Sequence, residues 1–300
     1  MMMTTVRPSD GRFDVSLTSD VRFGTAGINV SGQYGSSATR DLLMDVYTPV
    51  DGDESARRPA VVLAFGGAYH RGSKEDDSFE DGRNTPIAEY CRRLATRGFV
   101  CFSLGYRLTS EDPDPGADRV LIDPEGVSRS RVDHVRKLLG LRPATSRMIA
   151  DGMEAAAADV AMGVRFVHDN AARFGVDLDR IVAGGFSAGG TSALYAVLGH
   201  RAPAKGIIAL SGRLEAPDIP RHIRDAGQPP ILQFVADDDL EHVSRLTPKM
   251  LARSTEIGLK HRVFRVPNAG HFYPRTADVI GADGRVSTVE AEILSLLDTI

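Results

Sequence analysis

The sequence predicts an α/β fold: a mostly parallel central sheet with helices on both faces and an inserted cap. Three observations carry this. Short apolar runs alternate with helical patterns, as strands buried on both faces and joined by crossover helices do. No linker divides residues 1–300, so a single domain is expected, and 300 residues can bury a sizeable core. Two long irregular segments, 108–147 and 211–229, break the alternation, and insertions of that length are usually lids or binding loops.

The elements follow in order. Asp41–Tyr47, DLLMDVY, reads as a strand, and Ala60–Phe65, AVVLAF, is a continuous apolar run of the doubly buried kind. Thr85-Pro86 is a cap residue followed by proline in the first-turn position. After it Ile87, Tyr90, Cys91, Leu94 and Ala95 recur at helical spacing until Gly98. Phe99–Tyr106 is a second buried strand. A stripe of Met153, Ala157, Val160, Val164, Val167, Ala171 and Phe174 makes a long helix that ends at Gly175. Arg180–Phe186 is a strand and Ala188–Leu198 a helix of small residues. Ile207–Leu210, Ile231–Val235 and Arg262–Val266 are further strands, with helices near Val243–Ile257 and Val286–Leu297. Segments 108–147 and 211–229 both follow strands at their C-terminal ends, where ligands bind on an open parallel sheet.

Hydrophobic residues make up 42% and charged residues 25%, ordinary for a soluble globular protein. A net charge of -4 without a long basic run argues against nucleic acid or an anionic membrane surface as partner. No apolar run approaches the ~18 residues that span a bilayer. The start, MMMTTVRPSDGRFD, lacks the apolar core of a secretory signal, so a cytoplasmic location is expected. Cys91 and Cys101 fall in a helix and a strand without metal-type spacing and are expected to be reduced core thiols.

The chemistry centres on residues 184–190, GGFSAGG. A glycine turn with a bystander serine is the plain alternative. Between a buried strand and a small-residue helix, however, Gly185-Phe186-Ser187-Ala188-Gly189 is G-x-S-x-G, a strained turn that presents Ser187 as a nucleophile. The helix N-terminus beneath it supplies free N–H groups and partial positive charge. His271, in NAGHFYP after the last strand, is the candidate base. An orienting carboxylate is needed to fix its tautomer. The loop FVADDDLEH offers Asp237, Asp238 and Asp239, with Asp239 the first choice and Asp238 the second. The oxyanion donors expected are the backbone N–H of Ala188 and that of Gly67 or Ala68 in the loop Phe65-Gly66-Gly67-Ala68-Tyr69. Tyr69, His70 and Arg71 leave the same strand end and are candidate substrate-binding residues. Arg71, Lys74 and the arginines of the cap are candidates to read a polar or acidic part of a substrate.

These residues resemble an α/β-hydrolase of the carboxylesterase/lipase type with an H-G-G-G-like oxyanion loop. The chain is similar to bacterial esterases of the feruloyl-esterase and hormone-sensitive-lipase-like groups. The motifs are LMDVYTP (43–49), FGGAYHRGS (65–73), LGYRL (104–108), GFSAGG (185–190), FVADDD (234–239) and AGHFY (269–273). Together they span roughly residues 40–275. The resemblance implies Ser187 as nucleophile, Asp239 as acid and His271 as base, in the chain order of that superfamily. It departs at Phe65, where the family has histidine, at Ala68 in place of the third glycine, and in the length of 108–147. It implies hydrolysis of a small-molecule ester through an acyl-enzyme, with no metal or organic cofactor. Two other readings share the motifs. A peptidase of the prolyl-oligopeptidase type would carry a large N-terminal domain, for which residues 1–40 are too few. A non-catalytic binding module on the same fold would typically lack one of the triad residues. The acyl and alcohol groups and the oligomeric state are not encoded in these motifs.

Overall fold

The apolar run from Ala60 to Ala64 is buried residue by residue, no side chain being more than 3% exposed. A strand covered on both faces has that pattern, and this one lies near the middle of an 11-stranded sheet. The structure, a computed structural model, describes residues 3–6, 12–32, 35–50, 57–76, 78 and 83–300. Its elements are β1 (Met3–Val6), β2 (Asp14–Ile28), β3 (Ala38–Val50), β4 (Arg58–Ala64), α1 (Ile87–Ala95), β5 (Val100–Leu104), α2 (Ser130–Leu138), α3 (Ser146–Asp169), α4 (Ala171–Phe174), β6 (Val176–Phe186), α5 (Ala188–Leu194), β7 (Gly206–Leu210), α6 (Asp218–His222), β8 (Ile231–Asp238), α7 (Glu241–Ile257), β9 (His261–Gly270), β10 (Asp278–Ile280), β11 (Val286–Thr288) and α8 (Val289–Leu297).

The strand order is β1-β2-β3-β5-β4-β6-β7-β8-β9-β10-β11. The six strands from β5 to β9 in that order run parallel, joined by crossovers that carry helices. β1, β2 and β3 add antiparallel at one edge, and β10 and β11 at the other. β1, β2 and β3, which take up most of the described residues before Asp51, therefore belong to the same sheet.

Several boundaries differ from the sequence reading. β2 was not foreseen, because two register shifts against β3 break its alternation. Val286–Thr288, expected in the last helix, instead pairs with β10, and the Thr288 side chain caps α8 by accepting from the Ala291 N–H. Segment 108–147 is not wholly irregular, since it contains α2. Thr145 closes it by capping α3, accepting from the Met148 N–H at 3.1 Å.

Buried polar ties hold this segment down. Arg107 forks onto Asp159 of α3, with Nη2–Oδ1 at 2.7 Å and Nε–Oδ2 at 2.9 Å, and both residues are buried. The same guanidinium donates to the carbonyls of Gly27 and Asp114. Glu154 accepts the N–H groups of Val120 and Leu121, and Asp218 that of Ile122. Cys91 and Cys101 are both buried thiols and form no disulfide with each other. Among the described residues no helix is long and apolar enough to cross a membrane.

Candidate active site

Each candidate site residue follows the C-terminal end of a parallel strand. Ser187 lies between β6 and α5 with φ 53° and ψ −113°, a strained conformation for a residue with a side chain. Close packing holds the turn in place. A Cβ at Gly189 would lie 2.1 Å from the Ala64 carbonyl oxygen of β4, so only glycine fits. The Ser187 N–H donates to Leu210 O at 2.7 Å, tying the turn to β7.

His271 Nε2 and Ser187 Oγ are 2.8 Å apart, and His271 Nδ1 is 2.6 Å from Asp239 Oδ1. The carboxylate can only accept, so Nδ1 carries the proton and Nε2 is left to accept from the serine hydroxyl. Asp239 is saturated. Oδ1 also accepts from the Leu240 N–H, and Oδ2 from the Ala236 N–H and the Ser211 hydroxyl. Burial alone would push this carboxyl up. The hydrogen bonds and charge of His271, with those from Ser211 and Ala236, hold it below its ordinary value. Asp237 turns away to pair with Arg265 and accepts from the Asn268 N–H. Asp238 is exposed. Of the three acids, Asp239 alone meets the imidazole.

Sequence reasoning missed Ser211. It follows β7 with φ 51° and donates to Asp239 at 2.6 Å. Its only proton is committed there, so Tyr273, 3.0 Å away, donates to Ser211. Burial pushes the Tyr273 phenol well above its ordinary value, keeping it protonated. One serine in a loop gives no sequence signal, although its place at a parallel strand end could have.

The loop after β4 runs over the serine. A Cβ on Gly66 would lie 2.8 Å from Phe186 Cδ1 and 3.4 Å from Ser187 Cβ. Ala68 and Tyr69 both have left-handed φ, 54° and 62°, which is costly for non-glycine residues. Phe65 stacks on Tyr106 at 4.1 Å, and the Tyr106 hydroxyl donates to the Phe65 carbonyl. Those contacts support the loop. Ala68, Ser187 and Ala188 line one cleft of about 40 Å³, and Gly67 does not line it. The Gly67 carbonyl instead accepts the N–H groups of His70 and Arg71.

Of the candidate substrate-binding residues, Tyr69 lines the cleft and His70 and Arg71 do not. His70 is buried. Arg136 of α2 donates to its Nε2, so the proton sits on Nδ1 and goes to the Ala68 carbonyl at 2.7 Å. Burial holds this imidazole below its ordinary value and hence neutral. Lys74 is buried in an ion cluster with Asp45, Asp20 and Glu75, away from the cleft. From the inserted segment Ser128 and Arg131 reach the cleft, and Arg213 from the loop after β7 and His242 from the first turn of α7 do too. Burial, with the nearby charges of Arg213 and His271, pushes His242 down to about 3. Among the described residues no group of three or more His, Cys, Asp or Glu is placed to hold a metal ion.

The structure is similar to that of Thermogutta terrifontis esterase 2 phosphonylated by cyclosarin, with a TM-score of 0.58 at 21% identity, covering 87% of this chain and 88% of that one. The fold is that of the α/β-hydrolases. Forms of the same esterase with propionate bound and phosphorylated by paraoxon match equally well, each with a TM-score of 0.58 at 21% identity over 87% and 88% of the two chains. Within this α/β-hydrolase fold, residues 143–271 match the phospholipase/carboxylesterase family model. That span includes Ser187, Asp239 and His271. No curated protein matches the chain significantly.

Proposed function

We propose that the protein is a serine carboxylesterase. The observation that carries this reading is the unbroken hydrogen-bonded line Asp239–His271–Ser187, with a strained serine beneath a glycine-rich loop. Ser187 Oγ attacks the acyl carbon while His271 Nε2 takes its proton. Asp239 holds the tautomer and stabilises the imidazolium. The negative oxygen of the tetrahedral state is received by the N–H groups of Ala188 and Ala68. Each such donor is worth roughly 3–4 kcal/mol. The alcohol leaves with the proton from His271, forming an ester between the acyl group and Ser187. Water, deprotonated by His271, then releases the acid and restores the serine.

The match of residues 143–271 to the phospholipase/carboxylesterase family and the motif resemblance to bacterial esterases support this reading. Segment 108–147 acts as a cap that borders the substrate. The test is labelling by a fluorophosphonate probe together with hydrolysis of p-nitrophenyl acetate. Both are expected in the wild type and neither in Ser187→Ala. A folded wild-type protein that does neither overturns the reading.

A further inference from the structure

A second cavity, of about 320 Å³, opens at the far end of the helix that begins at Ala188. α5 continues into the turn Tyr195–Gly199, which puts the cavity roughly 18 Å along the helix from the serine. It shares no lining residue with the cleft beside Ser187. Three segments build it: 118–120 of the insertion, 199–201 after that turn, and 221–224 around the end of α6. Arg119, Arg201, Arg221 and Arg224 line it, against one carboxylate, that of Asp118. Arg119 pairs with Asp151. Among the described residues Arg201, Arg221 and Arg224 form no ion pair. Asp218 is near enough to Arg221 to feel its charge, but its oxygens are taken by the Tyr195 hydroxyl and the Ile122 N–H.

Exposed arginines alone are ordinary. Two buried histidines in the same lining are not. His222 is 3% exposed and donates from Nε2 to the Val120 carbonyl at 2.8 Å, since a carbonyl only accepts. Its Nδ1 has no hydrogen-bond partner among the described residues. The His200 side chain is 5% exposed and turns Nδ1 toward Asp118 at 3.4 Å, and its Nε2 has no partner either. Burial holds both imidazoles below their ordinary value, so each is neutral with its proton on the partnered nitrogen. An added Cβ at Gly199 would crowd Val120 at 2.8 Å and come within 3.4 Å of His222 Cε1, so this glycine keeps the cavity open beside the ring.

Buried polar groups are nearly always paired, so each orphan calls for an explanation. Both orphaned nitrogens are acceptors that lack a donor, whereas the arginines are donors that lack acceptors. The occupant must therefore bring negative charge, several acceptor oxygens and at least one proton. A metal cation is disfavoured by the arginines. Sulfate and carboxylate bring no proton at neutral pH. We propose that this cavity binds a phosphate group carrying one proton, held by Arg201, Arg221 and Arg224 and sharing its proton with Nδ1 of His222. Guanidinium forks match phosphate oxygens, and charge-assisted hydrogen bonds are the strong ones. The group can be the free ion or the end of a small phosphomonoester, for the volume reaches the lower end of the ~300–1,000 Å³ of ligand sites.

The experiment is titration calorimetry of the wild type at pH 7 and constant ionic strength with inorganic phosphate, glycerol 3-phosphate and sulfate. One site is expected, with a Kd of roughly 1 mM or tighter for at least one of the two phosphates. Sulfate should bind at least about tenfold more weakly, because it cannot supply the hydrogen bond to His222. Tighter glycerol 3-phosphate identifies a phosphomonoester site, and tighter inorganic phosphate a site for the free ion. Arg221 and Arg224 are exposed, so Arg221→Gln/Arg224→Gln should keep the melting temperature of the unliganded protein while weakening phosphate at least about tenfold. Ser187→Ala should bind phosphate like the wild type, which separates this cavity from the cleft. In ¹⁵N spectra of the imidazoles, the His222 Nδ1 resonance should move on addition of phosphate. Absence of binding by both phosphates up to about 10 mM overturns the inference. So does sulfate that binds as well as phosphate, or phosphate binding that the double arginine variant leaves unchanged. None of these outcomes touches the esterase reading.

Discussion

Arg136 donates to His70 Nε2 at 3.1 Å, and His70 passes the connection on to the carbonyl of Ala68 at 2.7 Å. The inserted segment is thereby bonded to the loop that carries a proposed oxyanion donor. Arg136→Met should lower kcat for p-nitrophenyl acetate by about tenfold, since small misplacements of such a donor are costly. KM should change less. Steady-state kinetics on a folded variant check this, and an unchanged kcat would show that Ala68 is held without the insertion.

The proposed triad acts as a unit. Ser187→Ala and His271→Ala should each reduce kcat to less than about a hundredth of the wild-type value, and the double variant should be little worse than either. Additive losses would mean that Ser187 and His271 do not act in one step. Circular dichroism should show the fold kept in all three.

Asp239→Asn should lower kcat by about 10⁴, because an amide cannot accept the Nδ1 proton in the same way and the wrong tautomer is favoured. Asp238→Asn should change kcat little, since that side chain is exposed. Asp237→Asn should also spare kcat while loosening the turn that Arg265 and Asn268 hold. The three variants assayed side by side decide it, and a large loss at Asp238 would move the acid by one residue.

Ser211→Ala removes a donor from Asp239 and interrupts the path from Tyr273. A fall in kcat of about tenfold with KM nearly unchanged is expected, because the lost bond orients the acid and touches no substrate. A rise in KM at constant kcat would place Ser211 in substrate binding instead.

Stability should fall with acid through two neutral histidines. Burial pushes His261 down to about 4 and His242 to about 3, both below the ordinary 6.5. The unfolded chain therefore takes up these protons first as the pH drops. The stability they contribute is complete above about pH 6.5 and declines progressively as the pH falls toward those folded-state values. His261 spans Gln233 Oε1 and Ser254 Oγ, and Gln233 in turn donates to the Gly212 carbonyl next to Ser211. Melting temperatures measured from pH 7 to pH 4.5 should decline less steeply in His261→Gln than in the wild type. Parallel curves would assign the decline to other groups.

The parallel core was legible because its signal is local. Ala60–Phe65 and Ile207–Leu210 are unbroken apolar runs, and GGFSAGG packs its glycines into seven residues. β2 was not legible, since its bulges interrupt any alternation and its mixed burial follows from edge pairing with β3. The candidate residues Ser187, Asp239 and His271 stood at strand ends, so topology alone placed them near one another. Ser211, Arg131 and Arg213 lack such a signature, for their positions depend on how the loops close over the sheet. His70 shows the same limit from the other side. Its neighbours in sequence suggested the substrate, whereas Arg136, 66 residues away, decides where its ring goes.

The serine turn is locked by close backbone packing. Gly189 presses on the carbonyl of Ala64. Mutational tolerance at the turn is consequently inverted with respect to chemistry. An added methyl at Gly189 breaks the architecture, while losing the reactive hydroxyl leaves it standing. A lineage can therefore discard catalysis in one step and keep the fold and its cleft, which gives selection a stable scaffold on which to build recognition without turnover.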